Sequence, residues 1–208
     1  MQSSLFDSEP GDTACEQLRL PDADITVYPQ WLRTDQASYF YTCLSQTIQW
    51  RQDTIKLYGK EHLVPRLQAW YGDSNAEYAY SGIPLRPLPW TSELQQLKAK
   101  CERTCGHAFN SVLLNWYQNG QHSMGMHSDD EPQLGTNPVI ASISLGQTRR
   151  FRLQHKYNGT RDSIDLTHGS LLIMAGQTQH YWQHGINKSK RALQGRINLT
   201  FRWIQHDH

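Results

Sequence analysis

The stretch Arg196-Ile197-Asn198-Leu199-Thr200-Phe201-Arg202-Trp203 alternates polar and apolar residues without a break. A period of two is the signature of a strand. It puts Ile197, Leu199, Phe201 and Trp203 on one face and Arg196, Asn198, Thr200 and Arg202 on the other. If this strand lies inside a two-sheet sandwich, its polar face looks into a cavity, where two unpaired guanidiniums are costly without an anionic guest. A dicarboxylate satisfies both. The other arrangement is an edge strand with a solvated basic face, and the pattern alone fits either.

The rest of the chain supplies the partners such a strand needs. Short β-like runs separated by turn residues fill the second half: Ser111 to Tyr117, Val139 to Leu145, Arg149 to His155, Ser163 to Leu166, Ser170 to Met174, His180 to Ile186 and Arg196 to Ile204. Their spacing of roughly ten residues predicts an antiparallel sandwich or jelly roll. Two helices precede them. Ala37, Phe40, Tyr41, Leu44 and Ile48 form an amphipathic stripe with Asp35 as N-cap, and a second helix runs from a Thr91 cap through Leu94, Leu97, Cys101 and Cys105 to Gly106. The fold class expected is thus mainly β with flanking helices (α+β). With 208 residues there is room for one domain and a tail. Residues 1–20 read as a flexible N-terminal tail and 21–208 as the domain, divided into 21–110 with the helices and 111–204 with the β core.

Several classes are excluded by what the chain lacks. The longest apolar run, Leu171 to Ala175, is far too short for a bilayer span, and the first residues have neither a basic nor an apolar signal region. No membrane partner is expected. The four cysteines form no C-x-x-C, and a cytoplasmic setting is the simplest, on the nucleoid if the cell is bacterial. No glycine-rich phosphate loop or βαβ alternation appears. A formal net charge of +1 leaves an anionic partner to be held by local charge.

His127-Ser128-Asp129 places an imidazole and a carboxylate at i and i+2, on one side of an extended segment. His184 follows at the end of a later β-like run. Two histidines and one carboxylate make the facial triad of non-haem Fe(II) oxygenases, which leaves coordination positions open for a co-substrate and dioxygen. His180 is set aside, because an i, i+4 pair meets one metal only on a helix and this run reads as a strand.

Asn115-Trp116-Tyr117, His127 to Glu131, Ile140 to Gly146, Arg150-Phe151, His168 to Leu172, His184 and Arg196 to Arg202 together resemble the AlkB family of Fe(II)/2-oxoglutarate nucleic-acid dealkylases, in order and spacing, over roughly residues 55–204. The resemblance implies a double-stranded β-helix (jelly roll) with N-terminal helices and a substrate-recognition lid. It also implies Fe(II) as cofactor, with 2-oxoglutarate and dioxygen as co-substrates. By the same likeness His127, Asp129 and His184 are the iron ligands and catalytic centre. Asn115, Tyr117 and Arg196 would hold the distal carboxylate of 2-oxoglutarate, and Arg202, with Asn198 nearby, would face the carboxylate beside the keto carbon. Leu113 shares a strand face with Asn115 and Tyr117 and joins this set.

The substrate side resembles the branch that repairs duplex DNA. Leu57 and Tyr58 fall where an apolar finger fills the gap left by an extruded base, Arg66 lies in the nucleotide-recognition segment, and Tyr78, Tyr80 and Ser81 sit in the base-stacking pocket. Each tyrosine also reads as an ordinary strand aromatic. Asp130 and Glu131 would favour a base made cationic by methylation. Lys188, Lys190 and Arg191, and a second cluster of Arg149, Arg150, Arg152 and Lys156, are candidate phosphate contacts. The activity implied is oxidative demethylation of 1-methyladenine and 3-methylcytosine in duplex and single-stranded DNA, with release of formaldehyde. The alternative is a 2-oxoglutarate-dependent hydroxylase or demethylase of RNA, a protein or a small molecule. A monomer is expected, and Gln2-Ser3-Ser4-Leu5-Phe6 resembles a bacterial sliding-clamp-binding peptide.

Overall fold

Strand alternation in the second half of the chain and two apolar helix stripes in the first assemble into two facing sheets with helices on one outer side. The computed structural model describes residues 14–57, 60–76, 78–80, 83–191 and 193–205, with 55–57, 60, 61, 78–80 and 83–85 described by backbone alone. In chain order the elements are β1 (Glu16–Gln17), β2 (Asp24–Tyr28), α1 (Thr34–Thr47), β3 (Thr54–Leu57), β4 (Lys60–Leu63), β5 (Leu67–Gly72), β6 (Tyr78–Tyr80), β7 (Ile83–Leu85), α2 (Ser92–Cys105), β8 (Ser111–Tyr117), β9 (Met124–His127), β10 (Ile140–Gly146), β11 (Arg149–His155), β12 (Arg161–Leu166), β13 (Ser170–Ala175), α3 (Thr178–Tyr181), β14 (Trp182–Ile186) and β15 (Arg196–Arg202). The major sheet has the order β1-β2-β13-β10-β15-β8-β5, and the minor sheet β12-β11-β14-β9. All these pairings are antiparallel, which makes a jelly roll. Hairpins β3–β4 and β6–β7 flank β5 in sequence and join neither main sheet.

The edge-strand arrangement for β15 is ruled out, because β15 pairs from Arg196 to Phe201 with β10 on one side and along its full length with β8 on the other. Register sets Asn198 opposite both Asn115 and Ser144, and Arg196 opposite Tyr117. Ile197, Leu199 and Phe201 face outward and are buried under the helices with Phe40 and Leu44 of α1 and Leu94, Leu97 and Cys101 of α2. Each such side chain contributes about 1.5–3 kcal/mol by leaving water. A second core between the sheets packs Ile25, Val27, Ile140, Leu172 and Met174 against Phe151, Leu153, Trp182 and Ile186. The polar face of β15 looks into this intersheet space, where Arg196, Asn198 and Thr200 are buried.

Both helices form where the stripes lie, and their caps differ in outcome. Thr91 caps α2 by accepting the Leu94 N–H at 3.3 Å, and Gly106 ends it at φ 62°, a left-handed backbone that favours glycine. Cys101 faces the core, as expected of a buried thiol. In α1 the N-cap is Arg33, not Asp35: the Gln36 side chain accepts the Arg33 N–H at 3.2 Å, while Asp35 pairs with the Arg33 guanidinium at 2.9 Å in the first turn.

Three further expectations are revised. Glu16–Gln17 lie within the stretch read as tail, yet pair with Val27 and Thr26, because β2 offers an unfilled edge. The major sheet is not confined to 111–204, since β2 and β5 add to it from the first half of the chain. The run from His180 begins with the helical turn α3 rather than a strand, and β14 starts at Trp182.

Candidate metal and co-substrate site

β9 and β14 bring the two histidines together, for His127 and His184 are direct cross-strand partners at a register shift. The close approach needs glycine beside them: a Cβ on Gly185 would lie 2.9 Å from the carbonyl oxygens of Met124 and Gly125. Asp129 follows β9 in a loop that folds back to the pair. His127 Nε2 lies 3.8 Å from Asp129 Oδ1 and His184 Nε2 lies 3.8 Å from Asp129 Oδ2. One ligand atom from each residue falls within 4.8 Å of the others. Distances of 3.8 Å are too long for hydrogen bonds, so these atoms converge on a shared point rather than on one another.

Protonation suits a metal. The Gly125 carbonyl lies 2.9 Å from His127 Nδ1 and can only accept, so Nδ1 is the donor and Nε2 is the nitrogen turned toward Asp129. Burial pushes the His184 imidazole down to about 4; Asp129 opposes this, and His127 and Arg202 add to it. For Asp129, burial raises the carboxyl pKa, but Arg202, His184 and His127 together outweigh it and hold the group below the ordinary carboxylate range. A neutral His184 imidazole and an anionic Asp129 carboxylate are the forms a divalent metal ion binds. The donor set therefore fits iron. Phe151 stacks on the His184 ring at 5.1 Å and 25° and fixes its plane.

Arg196 lies deeper in the same cavity and is 2% exposed. Its Nη2 donates to Ser144 Oγ at 2.8 Å and its guanidinium lies 5.3 Å from the Tyr117 ring centroid, but Nε and Nη1 have no partner among the described residues. Burial brings its pKa down to about 10, with Tyr117 working upward and Arg149 downward, so it remains a cation at neutral pH. A buried cation with two idle donors is a carboxylate-binding group. Asn198 donates to Ser142 Oγ at 2.8 Å and the Ile143 carbonyl at 3.0 Å. Leu113, Asn115 and Tyr117 line the cavity with Arg196, Asn198 and Arg202. Arg202 is turned to the metal ligands, where its Nη2 donates to Asp129 Oδ1.

Two cavity neighbours escaped the sequence reading. Arg66, expected on the nucleotide side, is buried and donates from Nε to Asn115 Oδ1 at 2.7 Å, where Gln68 Nε2 also donates at 3.0 Å. Arg149, grouped with candidate phosphate contacts, points inward over Tyr117 at 5.7 Å and bonds the carbonyls of Asn119, His122 and Asn187. Alternation was the available signal, for Arg149 shares a face with Phe151 and Leu153. Arg150 points the other way, exposed and paired with Asp165 at 3.0 Å.

On the substrate side, Asp130 accepts from Lys156 Nζ at 3.2 Å. Glu131 stands at the start of a 3-10 turn, Pro132–Leu134, and its Oε2 is buried with no partner among the described residues. Lys188, Lys190 and Arg191 are exposed. Leu57 belongs to β3 and Tyr78 and Tyr80 to β6, by backbone alone; Tyr58 and Ser81 lie outside the described residues.

The family model described as the 2OG-Fe(II) oxygenase superfamily matches residues 24–202. Alpha-ketoglutarate-dependent dioxygenase alkB homolog 3 of Homo sapiens is 41% identical over 193 residues, covering 88% of this chain and 67% of that protein. DNA oxidative demethylase ALKBH2 of Bos taurus is 40% identical over 158 residues, covering 72% and 57%. Its Arabidopsis thaliana counterpart is 32% identical over 209 residues, covering 88% and 67%. The chain thus spans about two thirds of the first and third relatives and less of the second. The solved structure of OsALKBH1 superposes with a TM-score of 0.62 at 17% identity, covering 93% of this chain and 100% of that one, a likeness of fold.

Proposed function

We propose, for a chain that belongs to the AlkB family within the 2OG-Fe(II) oxygenase superfamily, that it removes methyl groups oxidatively from alkylated bases in DNA. The family's Fe(II), 2-oxoglutarate and dioxygen supply the hydroxylating chemistry when bound, as the protein is a 2-oxoglutarate-dependent dioxygenase. The observation that carries the reading is one cavity holding both the His127, Asp129 and His184 donors and the two nitrogens of Arg196 that have no partner among the described residues. DNA as substrate is supported by the names of the relatives, two of which are DNA oxidative demethylases.

In this reading His127, Asp129 and His184 hold the metal, and Arg196 with Asn115 and Tyr117 seats the far carboxylate of 2-oxoglutarate. Arg202 and Asn198 flank its near end. Such anchoring makes the reaction a matter of positioning. Hydroxylation of the N-methyl carbon gives an N-hydroxymethyl base. Its O–H proton is lost, the C–N bond breaks, formaldehyde leaves, and the electron pair stays on the ring nitrogen. 1-Methyladenine and 3-methylcytosine are the lesions this reading favours because they are cations, and Glu131, whose Oε2 has no partner among the described residues, is the carboxyl group assigned to prefer them. Asp130 is paired with Lys156 at 3.2 Å. The exposed Lys188, Lys190 and Arg191 serve the phosphates. Leu57, Tyr58, Tyr78, Tyr80 and Ser81 are assigned to base extrusion and stacking on sequence grounds.

The test is succinate release with a methylated oligonucleotide, an unmethylated one, or none. We expect the methylated strand to stimulate release severalfold in the wild type and not in His127→Ala. Succinate formed at one rate in all three would keep the oxygenase and transfer it to an RNA, protein or small-molecule substrate.

A further inference from the structure

Asp129 lies in a loop, where its backbone N–H has no strand partner, yet the residue is 3% exposed. A buried backbone donor must find an acceptor, and this one is the Gln179 side chain, whose Oε1 accepts the Asp129 N–H at 2.9 Å. Gln179 is itself 1% exposed and sits in α3, the single turn that leads directly into β14 and His184. The bond therefore ties the segment bearing the carboxylate ligand to the segment bearing the second histidine.

The residues on either side repeat the tie. Ser128 Oγ donates to the Trp182 carbonyl at 2.9 Å. Lys156 Nζ donates to the Gln179 carbonyl at 2.9 Å and to Asp130 Oδ2 at 3.2 Å, so one ammonium holds both sides of the junction. Three successive residues, 128 to 130, are thus fastened to 179–182 or to the lysine that grips it. Arg202 fixes the Asp129 carboxylate, and Gln179 fixes the backbone from which it projects.

We propose that Gln179 is a positioning residue for the metal centre, with Lys156 as its outer brace: together they set where the Asp129 carboxylate stands relative to His184 before any metal arrives. Groups that orient ligands without touching the ion typically change its affinity ten- to a hundredfold. Gln179 does not line the cavity, so its effect must pass through Asp129.

Mn(II) binding to the full chain, followed by electron paramagnetic resonance in the absence of oxygen and 2-oxoglutarate, tests this without turnover. Gln179→Leu keeps the volume and removes the acceptor, and should weaken Mn(II) binding about tenfold or more. Gln179→Glu keeps an acceptor in the same place and adds a negative charge, so Mn(II) binding should be no weaker than in wild type. A residue that served stability alone would lower the melting temperature in Gln179→Leu and leave the affinity of the folded fraction unchanged; that result overturns the proposal. If Gln179→Leu does not fold, Lys156→Met decides. Losing a positive charge and freeing Asp130 would by charge alone tighten cation binding, so weaker Mn(II) binding supports the brace, while equal or tighter binding overturns it.

Discussion

Arg196→Met removes the guanidinium while keeping most of its volume, and the structure gives the consequence two signs. Nε and Nη1 are buried without partners among the described residues, so two charge-assisted hydrogen bonds are open to a carboxylate. Bonds from a charged donor are worth about 1.5–3 kcal/mol each, hence about 3–6 kcal/mol for the pair. At 1.4 kcal/mol per tenfold, the dissociation constant of 2-oxoglutarate should rise by about 10² to 10⁴. The ligand-free protein behaves differently, because among the described residues it loses only the Ser144 bond and the contact with Tyr117 while it sheds a desolvated cation. Its melting temperature should hold or rise, as when buried ions are replaced by apolar residues of similar size. The assay is calorimetric titration of 2-oxoglutarate into Mn(II)-loaded protein, beside thermal melts without ligand. Affinity within about threefold of wild type, or a ligand-free melting temperature lowered by more than about 5 °C, would refute the reasoning.

Asn110 is buried and its side chain bonds both backbone groups of Ile204, donating to the carbonyl at 2.8 Å and accepting from the N–H at 2.7 Å. Asn110→Ala leaves both unmet and should cost about 2–4 kcal/mol, a melting shift of about 5–15 °C; under about 2 °C would contradict it. His168 Nδ1 accepts the Gly146 N–H at 2.8 Å, and burial lowers its pKa from 6.5. The neutral form is thus favoured on folding, so its stability contribution is complete above about pH 6.5 and lost as pH falls below it. Urea melts should show wild type weakening faster than His168→Asn between about pH 7 and 5, and parallel curves would dismiss the link. Gln2 to Phe6 lies outside the described residues, and capture by a bacterial sliding clamp should vanish in Leu5→Ala/Phe6→Ala; equal retention would end that reading.

What could be read from the sequence was local and periodic. Alternation along 196–202 gave the faces of β15, Thr91 and Gly106 gave the ends of α2, and the H-x-D pair with His184 gave a centre that the β9–β14 pairing assembles. What stayed hidden depended on contacts between distant parts of the chain. No pattern near Arg66 announces Asn115, and nothing in Thr178 to Tyr181 announces a bond to the Asp129 backbone. Asp35 failed as a cap because Arg33 and Gln36 close the helix start between them. Arg149 turns inward and Arg150 outward because strand parity, not clustering of charge, decides the side.

The central claim is that this one cavity joins metal, co-substrate and a methylated base. Its most direct test is mass spectrometry of an oligonucleotide carrying one 1-methyladenine or 3-methylcytosine, incubated with the protein, Fe(II), 2-oxoglutarate and air. Loss of the methyl group with wild type, and its retention with His127→Ala, is the result predicted. Retention of the methyl group by wild type while succinate still forms, or equal loss with both proteins, would contradict it.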